Sequence, residues 1–134
     1  NRAETIVTDW LDQAEHEALF TKLCCGHFAL AAHAAGVGQL CYLESKSKPE
    51  FMGHIFAFNN DFGSFDVLGY RPITEMLKTC DWCHGKIIGV NSSKVKCQIS
   101  TIAIGSHLHK QVYRLARQLV IEEYESFYTS HAKQ

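Results

Sequence analysis

The sequence lacks the long apolar run and the concentrated positive charge that mark membrane-spanning and nucleic-acid-binding proteins. No apolar segment approaches the roughly 20 residues that a transmembrane helix needs. Lysine and arginine together number 13, against 14 aspartates and glutamates, and they are scattered along the chain. Because binding to a phosphate backbone needs a concentrated basic field, we expect neither nucleic acid nor a membrane as a partner.

Internal repeats, low-complexity tracts and a recognisable signal peptide are also missing. Apolar residues make up 46% of the chain and charged residues 20%, which is ordinary for a globular domain and argues against disorder. A chain of 134 residues is long enough to enclose one core, so we predict a single domain over residues 1–134. Asn1 in place of Met suggests a segment of something longer.

The six cysteines, at positions 24, 25, 41, 80, 83 and 97, lack the setting of a disulfide framework. Small disulfide scaffolds are rich in cysteine and in loops. Here most cysteines lie inside periodic apolar segments, where a free cysteine behaves as a small hydrophobic residue. We therefore expect free thiols and a reducing, intracellular environment.

Hydrophobic periodicity and turn residues predict an α+β fold. The first helix is predicted over 4–20 and the second over 25–35, ended by Gly36 and Gly38. Strands are predicted over 39–43, 53–58, 64–68, 86–90 and 95–104, with a short helix over 73–82 and a final helix capped by Ser106. The strands are mostly joined as hairpins, and the predicted order is α-α-β-β-β-α-β-β-α.

The segment CCGHFALA, residues 24–31, places a cysteine at a predicted helix start. A thiol becomes a good nucleophile when it ionises, and both a helix N-terminus and a nearby imidazole favour the thiolate. Gly26 leaves space beside Cys25, and first-turn N–H groups can hold a developing oxyanion. Cys24 is the alternative thiol, but Cys25 is preferred because it directly precedes Gly26 and lies three residues before Phe28.

The predicted hairpin supplies a base and an acid for such a thiol. His54 opens its first strand, in GHIFAF, and Asp66 lies on its second, in SFDVL. If the loop is the three residues 59–61, the paired positions sum to 120 and His54 lies opposite Asp66. Directly opposite side chains are close enough for a carboxylate to orient an imidazole. A shift of the register by one residue would separate the pair.

CGHFALA, GHIFAF and SFDVLG, in this order and at this compact spacing, resemble the papain-like fold, in particular the papain-fold toxin domains of bacterial polymorphic toxin systems. The resemblance covers about Leu19 to Met76 and leaves residues 80–134 unassigned. It implies a nucleophile-bearing helix packed on an antiparallel sheet. It also implies that Cys25 is the nucleophile, His54 the general base and Asp66 the residue that orients it.

The same resemblance implies a cysteine hydrolase or acyl-transfer enzyme that needs no cofactor and acts on a protein substrate. Protease, deamidase and transglutaminase chemistry all fit, because each passes through a thioester on the cysteine. A toxin or effector domain would have a cognate immunity or inhibitor protein as partner. We expect the domain to act in the cytoplasm. It would be made there, or it would be delivered into a target cell as part of a longer secreted protein.

Two other interpretations compete with an enzyme. The cysteine segment can be a small-residue core helix in which the thiols only pack. Alternatively, the chain can be a non-catalytic binding module held together by zinc. Cys80, Cys83 and Cys97, completed by His84, His107 or His109, have the residue types of a tetrahedral zinc site. A second C-x-x-C pair is absent, however, and the text pattern C-x-x-C-H at 80–84 lacks the setting of a haem attachment site.

Overall fold

A five-stranded antiparallel sheet forms the centre of the fold. The computed structural model describes residues 1–132, and all their side chains except those of 128 and 130–132. The strands are β1 (Gln39–Ser45), β2 (Met52–Asn59), β3 (Gly63–Asp66), β4 (Gly69–Arg71) and β5 (Cys83–Gly89). They lie in the order β4-β3-β2-β1-β5, and every neighbouring pair is antiparallel.

Six helices surround the sheet within the described residues, which confirms the α+β class. They are α1 (Arg2–Asp12), α2 (His16–Lys22), α3 (Cys25–Ala34), α4 (Ile73–Thr79), α5 (Ser92–Ser100) and α6 (Gly105–Ala132). Residues 133 and 134 of the predicted domain lie outside the described part of the chain.

The alternation of side chains along β1 and β2 gives the sheet two apolar faces. Leu40 and Ile55 pack with α3 and α5, while Cys41 and Phe56 pack with Met76 of α4. Helix α3 is apolar on all sides, with seven of its ten residues buried, because it lies between this sheet and the other helices. The residue that begins α3 is thereby fixed against the sheet.

The single helix predicted over 4–20 is wrong, since the structure has two helices there. Ala14 has a φ of +56°, in the left-handed region, and this residue separates α1 from α2. The amide of Glu15 donates to the carbonyl of Trp10 at 2.8 Å, which closes the turn. The hydrophobic spacing continued through the break, so periodicity alone did not reveal it.

The strand predicted over 95–104 is also wrong, because its first half lies in α5. The side chain of Asn91 accepts a hydrogen bond from the Lys94 amide at 2.9 Å and caps the helix. Val95 and Ile99, four residues apart, then pack together against α3 and β2. The segment Asn91-Ser92-Ser93, which connects the strands predicted over 86–90 and 95–104, is therefore a helix start.

Smaller differences occur at element ends. The helix predicted over 73–82 ends at Thr79, and β4 was not predicted at all. Strand β4 begins at Gly69, whose φ of +87° lets the chain turn back tightly after Asp66. This return places Arg71 beside β3, opposite Ser64.

Candidate functional site

Cys25 is the first residue of α3, and its environment differs from that of the adjacent Cys24. Cys24 is fully buried in the main core, and Cys25 is half-buried. Burial, followed by the proximity of Cys25, raises the pKa of the Cys24 thiol to about 12. Cys24 is therefore a packing residue, and Cys25 is the thiol of the pair that a reagent can reach.

Local packing fixes the start of α3. The Cys24 amide donates to the carbonyl of Leu19 at 2.8 Å, and the carbonyl of Cys24 accepts from the first turn of the helix. A Cβ atom at Gly26 would lie 2.5 Å from the Cγ2 atom of Ile99, so this position admits only glycine unless Ile99 moves. The glycine allows α5 to approach the helix directly behind Cys25.

His54 and Asp66 form a buried hydrogen-bonded pair. His54 Nε2 donates to Asp66 Oδ2 at 3.0 Å, and the two residues are 1% and 3% exposed. The predicted register was wrong, since Asn59 pairs with Gly63 and Ala57 with Phe65, giving a sum of 122 instead of 120. The turn keeps three residues but lies at 60–62 instead of 59–61, so the pairing of β2 extends one residue further and that of β3 begins one residue later than in the predicted register. Because this shift equals two residues along one strand, both side chains stay on the same face and meet diagonally.

Asp66 is held by three donors. Besides the His54 imidazole, its carboxylate accepts from the Leu68 amide at 2.9 Å and from Arg71 at 2.8 Å. Arg71 also donates to Thr79 Oγ1 at 3.0 Å. Burial tends to raise the pKa of Asp66, but the bond and charge of His54, then Arg71 and the Leu68 amide, outweigh burial and lower it. The carboxylate therefore stays charged in the interior.

The imidazole of His54 is held in its charged form. Burial lowers its pKa, but hydrogen bonding to Asp66 and Cys25, and the charges of Cys25 and Cys80, raise it to about 10. Because Cys25 raises the pKa of His54 both by a hydrogen bond and by its charge, the Cys25 sulfur lies near the ring. Nε2 is occupied by Asp66, and Nδ1 is buried without a hydrogen bond of standard geometry to a described residue. Nδ1 is thus the ring nitrogen left for the thiol.

Trp82 covers the imidazole. Its ring stands edge-on to His54, with centroids 6.4 Å apart, and its Nε1 donates to the carbonyl of Gly53 at 3.1 Å. The Trp82 side chain itself is 42% exposed, so it forms part of the surface above the buried pair. Gly53 lies against Cys83, because a Cβ atom there would be 2.6 Å from the Cys83 sulfur.

Gln98 of α5 also holds the strand that carries His54. Gln98 accepts from the Met52 amide at 2.9 Å and donates to the Met52 carbonyl at 2.9 Å. The register of β1 and β2 shifts between the Leu43–His54 and Glu44–Met52 pairs, at Gly53. Gln98 thus satisfies the backbone next to an irregularity and holds the start of β2.

The cysteines proposed for zinc do not form a site in the described part of the chain. Cys80 and Cys83 are buried behind α4, while Cys97 is exposed on α5. Among the described residues, no three His, Cys, Asp or Glu side chains are arranged to hold a metal ion. Burial, then the proximity of Cys80 and Cys25, raises the pKa of Cys83 to about 12, so this thiol stays protonated. All six thiols are free.

The structure brings Cys25, His54 and Asp66 together and adds Arg71, Trp82 and Gln98. Arg71 lay on an unpredicted strand, and Gln98 lay in a segment predicted as a strand, so neither could be assigned a neighbour. Trp82 lies within the C-x-x-C-H pattern at 80–84, which indicates only metal or haem ligation and gives no reason to expect an aromatic ring above His54. Of these three residues, only Arg71 has a sequence signal, because it is an arginine only five residues after Asp66.

No described helix is both long and apolar enough to span a membrane. Comparisons with protein-family models, with curated proteins and with solved structures each found no match to this chain.

Proposed function

We propose that this protein is a cysteine-dependent hydrolase or acyl-transfer enzyme in which Cys25 is the nucleophile. The observation that carries the proposal is the pairing of one imidazole with both a buried carboxylate and a half-buried thiol at a helix start. Charged His54 stabilises a thiolate, and the N-terminus of α3 adds the favourable end of a helix dipole. Asp66 holds the ring by its other nitrogen.

In the proposed reaction the Cys25 sulfur attacks a carbonyl carbon and forms a tetrahedral intermediate. The thiol proton resides on Nδ1 of His54, and unpaired N–H groups in the first turn of α3 are available to the oxyanion. Collapse of the intermediate breaks the bond to the leaving group, which takes the proton from His54. A thioester on Cys25 remains, and water or an amine then attacks it after giving a proton to His54.

We propose a papain-like arrangement and a protein substrate as the finer assignment. The order of the cysteine helix, the histidine strand and the aspartate strand, together with α3 lying on an antiparallel sheet, supports it. A toxin or effector domain with a cognate immunity protein, working in the cytoplasm of a target cell, is the corresponding biological role. Protease, deamidase and transglutaminase activity share the same first half-reaction.

The experiment is acylation by p-nitrophenyl acetate, which needs no knowledge of the natural substrate. We expect a burst of nitrophenolate and an acetyl group that mass spectrometry locates on Cys25. His54→Gln should slow the burst by about 10²- to 10⁴-fold, the range of a positioned general base.

Cys97→Ser is the matched control, because Cys97 is an exposed thiol away from the imidazole. It should leave the burst unchanged. An acetyl group found mainly on Cys97, or a burst of equal rate in His54→Gln, would overturn the proposed function.

A further inference from the structure

A second site lies on the part of α3 that follows the thiol. An open cavity of about 780 Å³ is bounded by α3, α5 and α6. Its wall from α3 consists of residues 27, 30, 33 and 34, at helical spacing along one side of that helix. Cys25, His54 and Asp66 do not line it. The volume is within the range of small-molecule binding sites.

The rim of the cavity is strongly basic. Four cations line it: Lys96 of α5 and Lys110, Arg114 and Arg117 of α6. No aspartate or glutamate lines the cavity, and within the described residues none of these four side chains has an acidic partner within 4.0 Å. Lys110, Arg114 and Arg117 lie at helical spacing along α6, and the fold adds Lys96 from α5. Four unpaired cations around one concavity create a field that attracts anions.

The interior of the cavity is polar as well. His27 is 1% exposed, and its Nε2 lies 3.0 Å from Nδ1 of His109, whose Nε2 lies 3.0 Å from the carbonyl of Ile102. Because the carbonyl can only accept, neutral rings require His109 to donate to it and His27 to donate to His109. Nδ1 of His27 is then an acceptor that is buried and without a partner. A buried histidine left unsatisfied in this way is unusual in a purely structural role.

Apolar side chains complete the walls. Leu30, Ile99 and Tyr113 line the same cavity as the four cations. Inorganic phosphate would leave these walls in contact with water, whereas an organic group would cover them. Arginine and lysine are the side chains that recognise phosphate oxygens.

We propose that this cavity binds a small organic molecule that carries two or more phosphate groups. The phosphates contact the cations of α5 and α6, and the organic part lies on the apolar wall. The site does not depend on the proposed function, since none of its residues takes part in the acylation.

The test is isothermal titration calorimetry of the protein with ADP, pyrophosphate and adenosine as probes. We expect ADP to bind more tightly than pyrophosphate, because only ADP also covers the apolar wall, and adenosine to bind weakly or not at all. The double variant Lys110→Gln/Arg114→Gln should weaken ADP binding by roughly tenfold or more, because charge-assisted hydrogen bonds are lost. Both residues are exposed, and circular dichroism checks that the variant folds.

Lys22→Gln/Lys86→Gln is the matched control, since it removes the same charge from exposed positions outside the cavity. It should bind ADP within about twofold of the unaltered protein, because neither side chain lines the cavity and exposed charges are screened by salt. Equal weakening in both double variants would overturn the proposal, since it would reflect net charge alone. Absence of ADP binding, with binding only to heparin or to phosphatidylserine vesicles, would overturn it in favour of a polyanion or a membrane surface.

Discussion

The imidazole of His54 and the carboxylate of Asp66 are hydrogen-bonded at 3.0 Å, although the two residues are not opposite each other in the ladder between β2 and β3. Asp66 lies two positions from the residue directly opposite His54, so the two side chains meet on a diagonal. Side chains in a strand alternate between faces, so an even shift preserves the pair and an odd shift would destroy it. The site therefore depends on the three-residue turn 60–62, which sets this register.

Asp66→Asn should slow acylation of Cys25 and destabilise the fold. The amide cannot balance the charge of His54, and it leaves Arg71 without its carboxylate. Loss of one partner from a buried ion pair costs about 3–5 kcal/mol of unfolding free energy. Urea unfolding and the p-nitrophenyl acetate burst measure the two effects separately. Asp81→Asn, at an exposed aspartate, should change neither quantity.

His27→Gln should alter how stability depends on pH. Burial, then the charge of His109, lowers the pKa of His27 to about 4, whereas an unfolded histidine titrates near 6.5. Between these values the unfolded state binds the proton and the folded state does not, so His27 removes stability as the pH falls from about 6.5 to 4. In the variant, the slope of the unfolding free energy against pH over this range should decrease by up to about 1.4 kcal/mol per pH unit. Urea midpoints across this range measure it, and His84→Gln, at an exposed histidine, should keep the full slope.

Gly26→Ala should destabilise the protein by about 1–3 kcal/mol despite the better helix propensity of alanine. The new methyl group would meet Ile99 at 2.5 Å and Ile55 at 3.3 Å. A double-mutant cycle with Ile99→Ala tests the cause, because the smaller residue makes room for the methyl group. Gly26→Ala should cost less, or even stabilise, in the Ile99→Ala background. An equal cost in both backgrounds would contradict the contact.

Gln98→Ala should cost about 1–3 kcal/mol, since it leaves the amide and carbonyl of Met52 without partners. It should also slow acylation of Cys25, because the start of β2 and hence His54 become less fixed. Chemical unfolding and burst kinetics give the two readouts. Gln118→Ala is the control: Gln118 is exposed and its one side-chain hydrogen bond, to Glu122, is 3.4 Å long. A Gln98→Ala variant as stable as Gln118→Ala would show that Met52 finds other partners.

The sequence allowed the cysteine helix and the hairpin to be predicted because their signals are local. A glycine-rich end marks α3, and β-rich runs on both sides of an Asn-Asn-Asp turn mark β2 and β3. Helix α5 was missed because its residues alternate like a strand until Asn91 is recognised as a cap. Gln98 acts through a long-range contact with Met52, and the basic cavity needs Lys96 of α5 beside the cations of α6; neither arrangement has a local signal. Arg71 lies only five residues after Asp66, but the tight return at Gly69 that brings the two together was not predicted.

The thiolate–imidazolium pair can be tested by the rate at which iodoacetamide alkylates each thiol at pH 6.5, followed by peptide mass spectrometry. It should be made on the unaltered protein, on Cys25→Ala and on His54→Gln. We predict that Cys25 reacts at least about tenfold faster than the exposed Cys97, and that His54→Gln abolishes this difference because the charged imidazole no longer stabilises the thiolate. A Cys25 that reacts no faster than Cys97, or equally fast with and without His54, would contradict a thiolate–imidazolium pair and leave α3 as a core helix.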